Sequence, residues 1–197
     1  AGVQKVGGSP CFAVNGKPVY ALWGTIANGR RKDRPSRHSS APLNFVTVWT
    51  RHLEWWPCGD EFDPTDLDRL AEQHRRQFPG AYFMWDISIY PPPDWSDANP
   101  DEMTLDEQLQ VNSDGGRVNF SFASKKAYDD MERVMRKVIT HLENSPYANR
   151  IVGYRINSGH TVEWLGWDPS RKNTILDFSP AARQGFEAFA KKHYPWI

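Results

Sequence analysis

Hydrophobic positions in this chain repeat with two alternating periods. The run Phe12-Ala-Val-Asn15-Gly16-Lys-Pro18-Val-Tyr-Ala-Leu-Trp23 predicts a hairpin through an Asn-Gly turn, then a first buried strand at about residues 18 to 24. Asn44-Phe-Val-Thr-Val-Trp-Thr50 predicts a second strand, Ala81-Tyr-Phe-Met-Trp-Asp86-Ile-Ser88 a third, and Ile151-Val-Gly-Tyr-Arg-Ile-Asn157 a fourth. The third is apolar on both faces, as a parallel strand covered by helices must be. Between the strands the period becomes helical. Asp63-Pro64 opens a helix carrying Leu67, Leu70, Ala71, His74 and Phe78, and Pro79-Gly80 stops it. His74 reads as helix surface or core edge. Ser124 caps a second helix with Ala127, Met131, Val134, Met135, Val138, Ile139 and Leu142 on one face, and Ser179-Pro180 opens a last one through Phe186, Phe189 and Ala190. This order predicts an α/β fold with a parallel sheet. Two connections are long: the polar Asn28 to Ser40 segment reads as a surface connection, and the loop of about thirty residues from Tyr90 onward has a length that marks a lid or binding loop.

Composition narrows the ligand more than the fold. The 24 basic and 24 acidic residues cancel to a formal charge of +0, so no electrostatic pull toward nucleic acid or an anionic membrane is expected. A neutral ligand fits better. The aromatic content of 13%, with 9 Trp, offers flat apolar rings of the kind that stack on carbohydrate. No apolar run approaches the roughly 20 residues of a membrane span, and the N-terminus carries no charged-then-apolar signal segment. Cys11 and Cys58 match no metal or redox spacing and read as two ordinary thiols or one disulfide.

Candidate chemistry gathers at the C-terminal ends of the predicted strands, where parallel barrels place their sites. The fourth strand runs through Arg155 and Asn157 into Ser158-Gly159, which leaves His160 and Glu163 at its mouth. Trp164 and Trp167 flank Glu163, supplying apolar faces for a sugar ring and a low-dielectric wall that raises a carboxyl pKa, as a general acid requires. Arg51, His52, Glu54 and Trp55 follow the second strand, and Trp95 sits in the loop after the third. Asp86 stands alone as a carboxylate in an apolar strand, where burial is costly unless it is paired. No catalytic metal or other cofactor is expected. His160-x-x-Glu163 lacks the second His of a helical zinc motif, and Asp114-Gly115-Gly116 precedes no helix with a Lys at phosphate-loop spacing. The basic run Arg30, Arg31, Lys32, Arg34 and Arg37 reads as a solvated loop.

A family resemblance joins these features. Phe12-x-x-Asn15-Gly16-Lys-Pro18, Phe62-Asp63 before a helix, Pro91 to Trp95, Asn119-Phe-Ser-Phe-Ala-Ser124 before a helix, Gly153-Tyr154 to Glu163-Trp164, and Ser179 to Tyr194 follow one another in an order that resembles the N-terminal half of the β-galactosidase-like barrels of glycoside hydrolase clan A. The resemblance implies a partial (β/α)8 TIM-barrel-like fold, about four parallel strands with outer helices and long βα loops, over residues 1–197 as one incomplete barrel region. It implies that Glu163 matches the general acid/base of a retaining glycosidase, whose nucleophile is a second carboxylate about 5 Å away. In that family the nucleophile follows the seventh strand, a position without a counterpart among four strands. Asp86, on the neighbouring strand, or Glu54, after the second, is the second carboxylate that this chain offers. Val162 stands where the family commonly has Asn, and the Asn28 to Ser40 loop replaces the usual first helix.

Four parallel strands leave two open sheet edges, so a partner is expected, either another copy closing an eight-stranded barrel by two-fold symmetry or the missing half. The competing reading is a barrel-derived carbohydrate-binding or assembly protein without hydrolysis. A glycan substrate fits an extracellular or periplasmic setting.

Overall fold

The computed structural model describes residues 1–25, 43–50, 62–111, 113–114, 117–158, 164 and 175–196. The chain divides into two compact units, one of Ala1–Leu53, Asp63–Ile87 and Ile139–Ile156, the other of Glu54–Phe62, Ser88–Val138 and Asn157–Ile197. Among the described residues, no helix is long and apolar enough to cross a membrane.

The first unit begins with an antiparallel sheet of β1 (Gly2–Val6), β2 (Ser9–Val14) and β3 (Lys17–Pro18). Its turns sit at Gly7-Gly8 and Asn15-Gly16, where all four residues have positive φ between 51° and 86°. Asn and Gly tolerate that left-handed backbone best, which is why the chain reverses there. The β1–β2 hairpin escapes sequence patterning because Val3 and Val6 are exposed and the strand does not alternate. The predicted strand at 18 to 24 is corrected here. Lys17–Pro18 closes the hairpin, Tyr20 is 96% exposed, and the parallel strand is only β4 (Trp23–Thr25).

Next come β5 (Phe45–Trp49), α1 (Thr65–Gln77) and β6 (Tyr82–Ser88), each close to its predicted bounds. After α2 (Pro93–Ala98), the short pair β7 (Ser113–Asp114) and β8 (Arg117–Val118), and α3 (Lys125–Glu143), the strand β9 (Ile151–Asn157) completes a four-stranded parallel sheet of order β4-β5-β6-β9. Arg150 secures the α1–β6 turn. Its guanidinium donates to the carbonyls of Phe78 (2.7 Å) and Ala81 (2.5 and 2.8 Å) and lies 4.7 Å from the Phe83 ring centre.

Helix α1 starts where Asp63 accepts the Thr65 N–H at 2.9 Å, and it buries Leu67, Leu70, Ala71 and His74 along one stripe. His74 is not at the surface or the core edge but 1% exposed. Its Nδ1 meets the Leu70 carbonyl at 2.8 Å, which assigns the proton to that nitrogen, while Nε2 is buried without a hydrogen-bond partner.

In the second unit, Pro93 at the first helical position starts α2 inside the long connection predicted as a loop. Ser124 Oγ accepts the Ala127 N–H at 2.9 Å to cap α3, and Ser179 Oγ accepts the Ala182 N–H at 3.0 Å to cap α4 (Pro180–His193). Both caps were predicted. Helix α4 buries none of its residues among those described, leaving Phe186 69% and Phe189 51% exposed.

Burial holds the His74 imidazole pKa below its ordinary value, outweighing the bond to Leu70 that raises it. Well above about pH 6.5 both the folded and the unfolded chain carry it neutral, so it contributes no pH dependence there. As pH falls through that value, the unfolded chain takes up a proton that the folded one resists, and stability is lost. Urea unfolding of the protein and of His74→Leu at about pH 7 and about pH 5 should show a smaller acid-induced loss in the variant.

Candidate functional site

The two faces of the parallel sheet differ sharply. Val46, Val48, Phe83 and Trp85 on one face are 0% exposed. The other face follows from the register, which pairs Trp23 with Phe45, Phe45 with Tyr82, Thr47 with Met84 and Trp49 with Asp86. A Cβ on Gly153 would meet the Met84 methyl at 3.2 Å, so Gly153, and with it Arg155 two residues on, shares that face. Here Trp49, Tyr82, Met84 and Gly153 are only half-buried and Arg155 is exposed.

Chemistry is graded along this face. At its N-terminal end Phe45 is ringed by Phe12 from β2 (5.2 Å, edge-on), Trp23 (5.7 Å, stacked) and Tyr82 (5.6 Å), which closes that end with aromatic surface. Further along, the Trp23 indole N–H donates to Thr47 Oγ1 at 2.8 Å. At the C-terminal end, Asp86 is 1% exposed and ion-paired with the Arg155 guanidinium, whose side chain is 56% exposed. The Asp86 carbonyl accepts both the N–H and the hydroxyl of Thr50, each at 3.0 Å, tying the end of β5 to β6.

Two of the sequence-predicted site residues are thus brought together, Asp86 and Arg155. Asn157 ends β9 and is 5% exposed; its carbonyl accepts the Ile89 N–H at 2.8 Å in the second unit. Trp164 is 36% exposed, with its ring 6.0 Å from Phe122 and a backbone φ of 57°. Trp95 needs correcting as an open stacking platform. It is 5% exposed, and its indole N–H donates at 2.8 Å to Asp130 on α3, so the ring belongs to the packing of the second unit. Burial raises the Asp130 pKa, but the Trp95 hydrogen bond and the Lys126 and Arg133 charges outweigh it and hold the carboxyl below its ordinary value. Arg51, His52, Glu54, Trp55, His160, Glu163 and Trp167 lie outside the described residues, as does Cys58. Cys11 is a free thiol.

A cleft of about 530 Å³ lies between α1 and the end of α3, lined by Asp68, Glu72, Arg75, His141 and Tyr147 among others. Its polar groups are engaged with one another. His141 Nε2 and the Tyr147 hydroxyl meet the same Asp68 oxygen at 2.7 and 2.6 Å, and Glu72 binds both Arg75 and Arg76. This network ties two helices and was not legible in sequence, since neither spacing nor motif links Asp68 to Tyr147. Among the described residues, no group of three or more His, Cys, Asp or Glu is placed to hold a metal ion.

Fold and site together define an α/β protein whose parallel sheet is apolar and buried on one side and, on the other, runs from an aromatic end to the Asp86–Arg155 ion pair. No family model matches the sequence, and no curated protein matches it either. Solved structures do share the fold. A β-galactosidase from the psychrophilic Marinomonas ef1 superimposes with a TM-score of 0.55 at 18% identity, over 78% of this chain and 22% of that one. A β-galactosidase from Bacillus circulans sp. alkalophilus gives 0.56 at 18% identity, over 78% of this chain and 20% of that one. The chain therefore spans about a fifth of the length of these relatives in fold.

The Asp86–Arg155 pair has an asymmetric energetic role. Removing Arg155 takes a charged partner from a buried carboxylate, whereas removing the Asp86 charge leaves a half-exposed guanidinium that water can serve. Arg155→Met is therefore expected to cost more stability than Asp86→Asn. Chemical denaturation of the two variants checks the order, and equal losses would contradict it.

Proposed function

We propose that this chain is a carbohydrate-active, glycoside-hydrolase-like region in which sugar binds at the C-terminal end of the parallel sheet and Glu163 serves as general acid/base. The observation that carries the reading is the sheet face that bears half-buried Trp49, Tyr82 and Met84 and ends in Asp86 and Arg155, in a fold shared with β-galactosidases. Fold likeness at this identity is not activity, so the chemical argument rests on Glu163 and its neighbours in sequence, Trp164 and Trp167. In the retaining scheme the acid protonates the leaving oxygen while a second carboxylate attacks the anomeric carbon, and the same residue then deprotonates water. The sheet would form part of a (β/α)8 barrel, with the nucleophile supplied by a partner chain or further sequence. Trp55, Trp164 and Trp167 are the candidates for stacking on the ring, with Arg51, His52, Glu54, Asn157 and His160 as polar contacts.

The second reading is a barrel-derived binding or assembly protein without hydrolysis, favoured by the exposed Phe186 and Phe189 on α4. The two separate on Glu163. Hydrolysis of an aryl β-galactoside by any assembly containing this chain should fall by at least about a hundredfold in Glu163→Gln, as loss of a general acid requires, while assembly size is unchanged. Turnover equal to that of the unmodified protein would remove Glu163 from the mechanism.

A further inference from the structure

We propose that Ser158 is a positioning residue of the sugar site, which holds Trp164 beside Phe122 as the prepared surface on which a galactopyranoside ring stacks. The assignment rests on the carbohydrate reading above and adds to it how the stacking ring is fixed. It begins at the end of β9. There the Asn157 carbonyl accepts the Ile89 N–H at 2.8 Å, and the Ser158 hydroxyl donates to the Ile89 carbonyl at 2.8 Å. Ile89 is thus gripped through both of its backbone groups, at a point where it is 3% and Ser158 1% exposed. A bond so deeply buried is kept, because losing the hydroxyl would strip a buried carbonyl of a donor.

The same serine serves Trp164. Its carbonyl accepts the Trp164 N–H at 2.8 Å, which brings together two residues well separated in sequence. Trp164 has a left-handed backbone, with φ 57°, that a bulky side chain rarely adopts and that persists where the surroundings hold it. Two contacts hold it here, the bond to Ser158 and the Phe122 ring, centred 6.0 Å away and inclined at 50°. Phe122 is in turn rooted in the core by Phe120, whose ring lies 5.8 Å from it and which is 1% exposed. Trp164 is nevertheless 36% exposed. A ring restrained before the ligand arrives loses little freedom on binding, which is the advantage of a prepared surface. A galactopyranoside suits an indole face, since its axial hydroxyl lies on one side of the ring and its C–H bonds gather on the other.

The test titrates the 197-residue chain with methyl β-galactoside by calorimetry and follows hydrogen exchange of the Trp164 amide by NMR. It compares the unmodified protein with Ser158→Ala, Phe122→Leu, Trp164→Ala and the double variant of Ser158→Ala with Trp164→Ala, and takes a thermal melt of each. Ser158→Ala should speed exchange of the Trp164 amide and weaken the sugar about fivefold, and Trp164→Ala should weaken it about tenfold. The double variant should bind no worse than Trp164→Ala alone, because Ser158 acts through the residue already removed. A merely structural serine would lower the melting temperature and leave the affinity of the folded protein as it was. Unchanged affinity in Ser158→Ala or in Trp164→Ala, unchanged amide exchange in Ser158→Ala, or additive losses in the double variant would each overturn this assignment while leaving carbohydrate binding intact. Should Ser158→Ala not fold, Phe122→Leu decides, since it takes away the backing ring and leaves both serine bonds in place. A loss of about fivefold there that vanishes once Trp164→Ala is added supports the assignment, and undiminished affinity overturns it. Failure of the unmodified protein to bind the sugar would overturn the carbohydrate reading, and this assignment with it.

Discussion

A carboxylate withdrawn from water inside a parallel sheet has few stable arrangements, and the Asp86–Arg155 pair is the one this chain adopts. Several kcal/mol of desolvation stand against burying the Asp86 charge, so the geometry must be held from several directions. Thr50 fixes the backbone of Asp86 from β5, the strand register fixes its face, and Arg155 arrives from β9 on the other flank of β6. Three of the four strands are therefore committed to one polar point. A one-residue slip of β6 would turn Asp86 toward the apolar face, where Val46, Val48, Phe83 and Trp85 offer it nothing.

The opposite end of the same face explains why that polar point can exist. Phe12, Trp23, Phe45 and Tyr82 gather their rings where the N-terminal hairpin meets the sheet, and Phe45 is 0% exposed as a result. Aromatic burial there is worth a few kcal/mol per ring and needs no charge. The stabilising part of the face and the polar part are thus separated along the strands. The Asn15-Gly16 turn matters for this reason, because it brings Phe12 back over the sheet.

Much of the architecture could be read from the chain, and the failures share a physical cause. Helix α3 was legible because Ser124 marks its start and its apolar stripe keeps one period, and β6 because its apolar run is broken by a single carboxylate. Asp86 was singled out on that ground alone. What sequence does not carry is the identity of a distant partner. Trp95 follows three prolines and looks like a loop platform until Asp130, on another helix, is found accepting its N–H. His74 falls on the apolar stripe of α1, yet only the packing shows it fully buried. Strand β4 was drawn too long because Tyr20 and Leu22, apolar by type, are exposed. The core chemistry of the candidate site was legible as separate residues, Asp86 and Arg155, but not as a pair.

The pairing also bears on which carboxylates can take part in sugar chemistry. A nucleophile must leave its hydrogen bonds and reach the anomeric carbon, with a second carboxylate about 5 Å away. Asp86 would have to surrender Arg155 and rise out of a 1% exposed position to do so, at a cost comparable to breaking a buried ion pair. That cost would be met on every turnover. If Glu163 acts as the acid in a retaining reaction, a carboxylate less deeply buried than Asp86 is the better candidate for its partner.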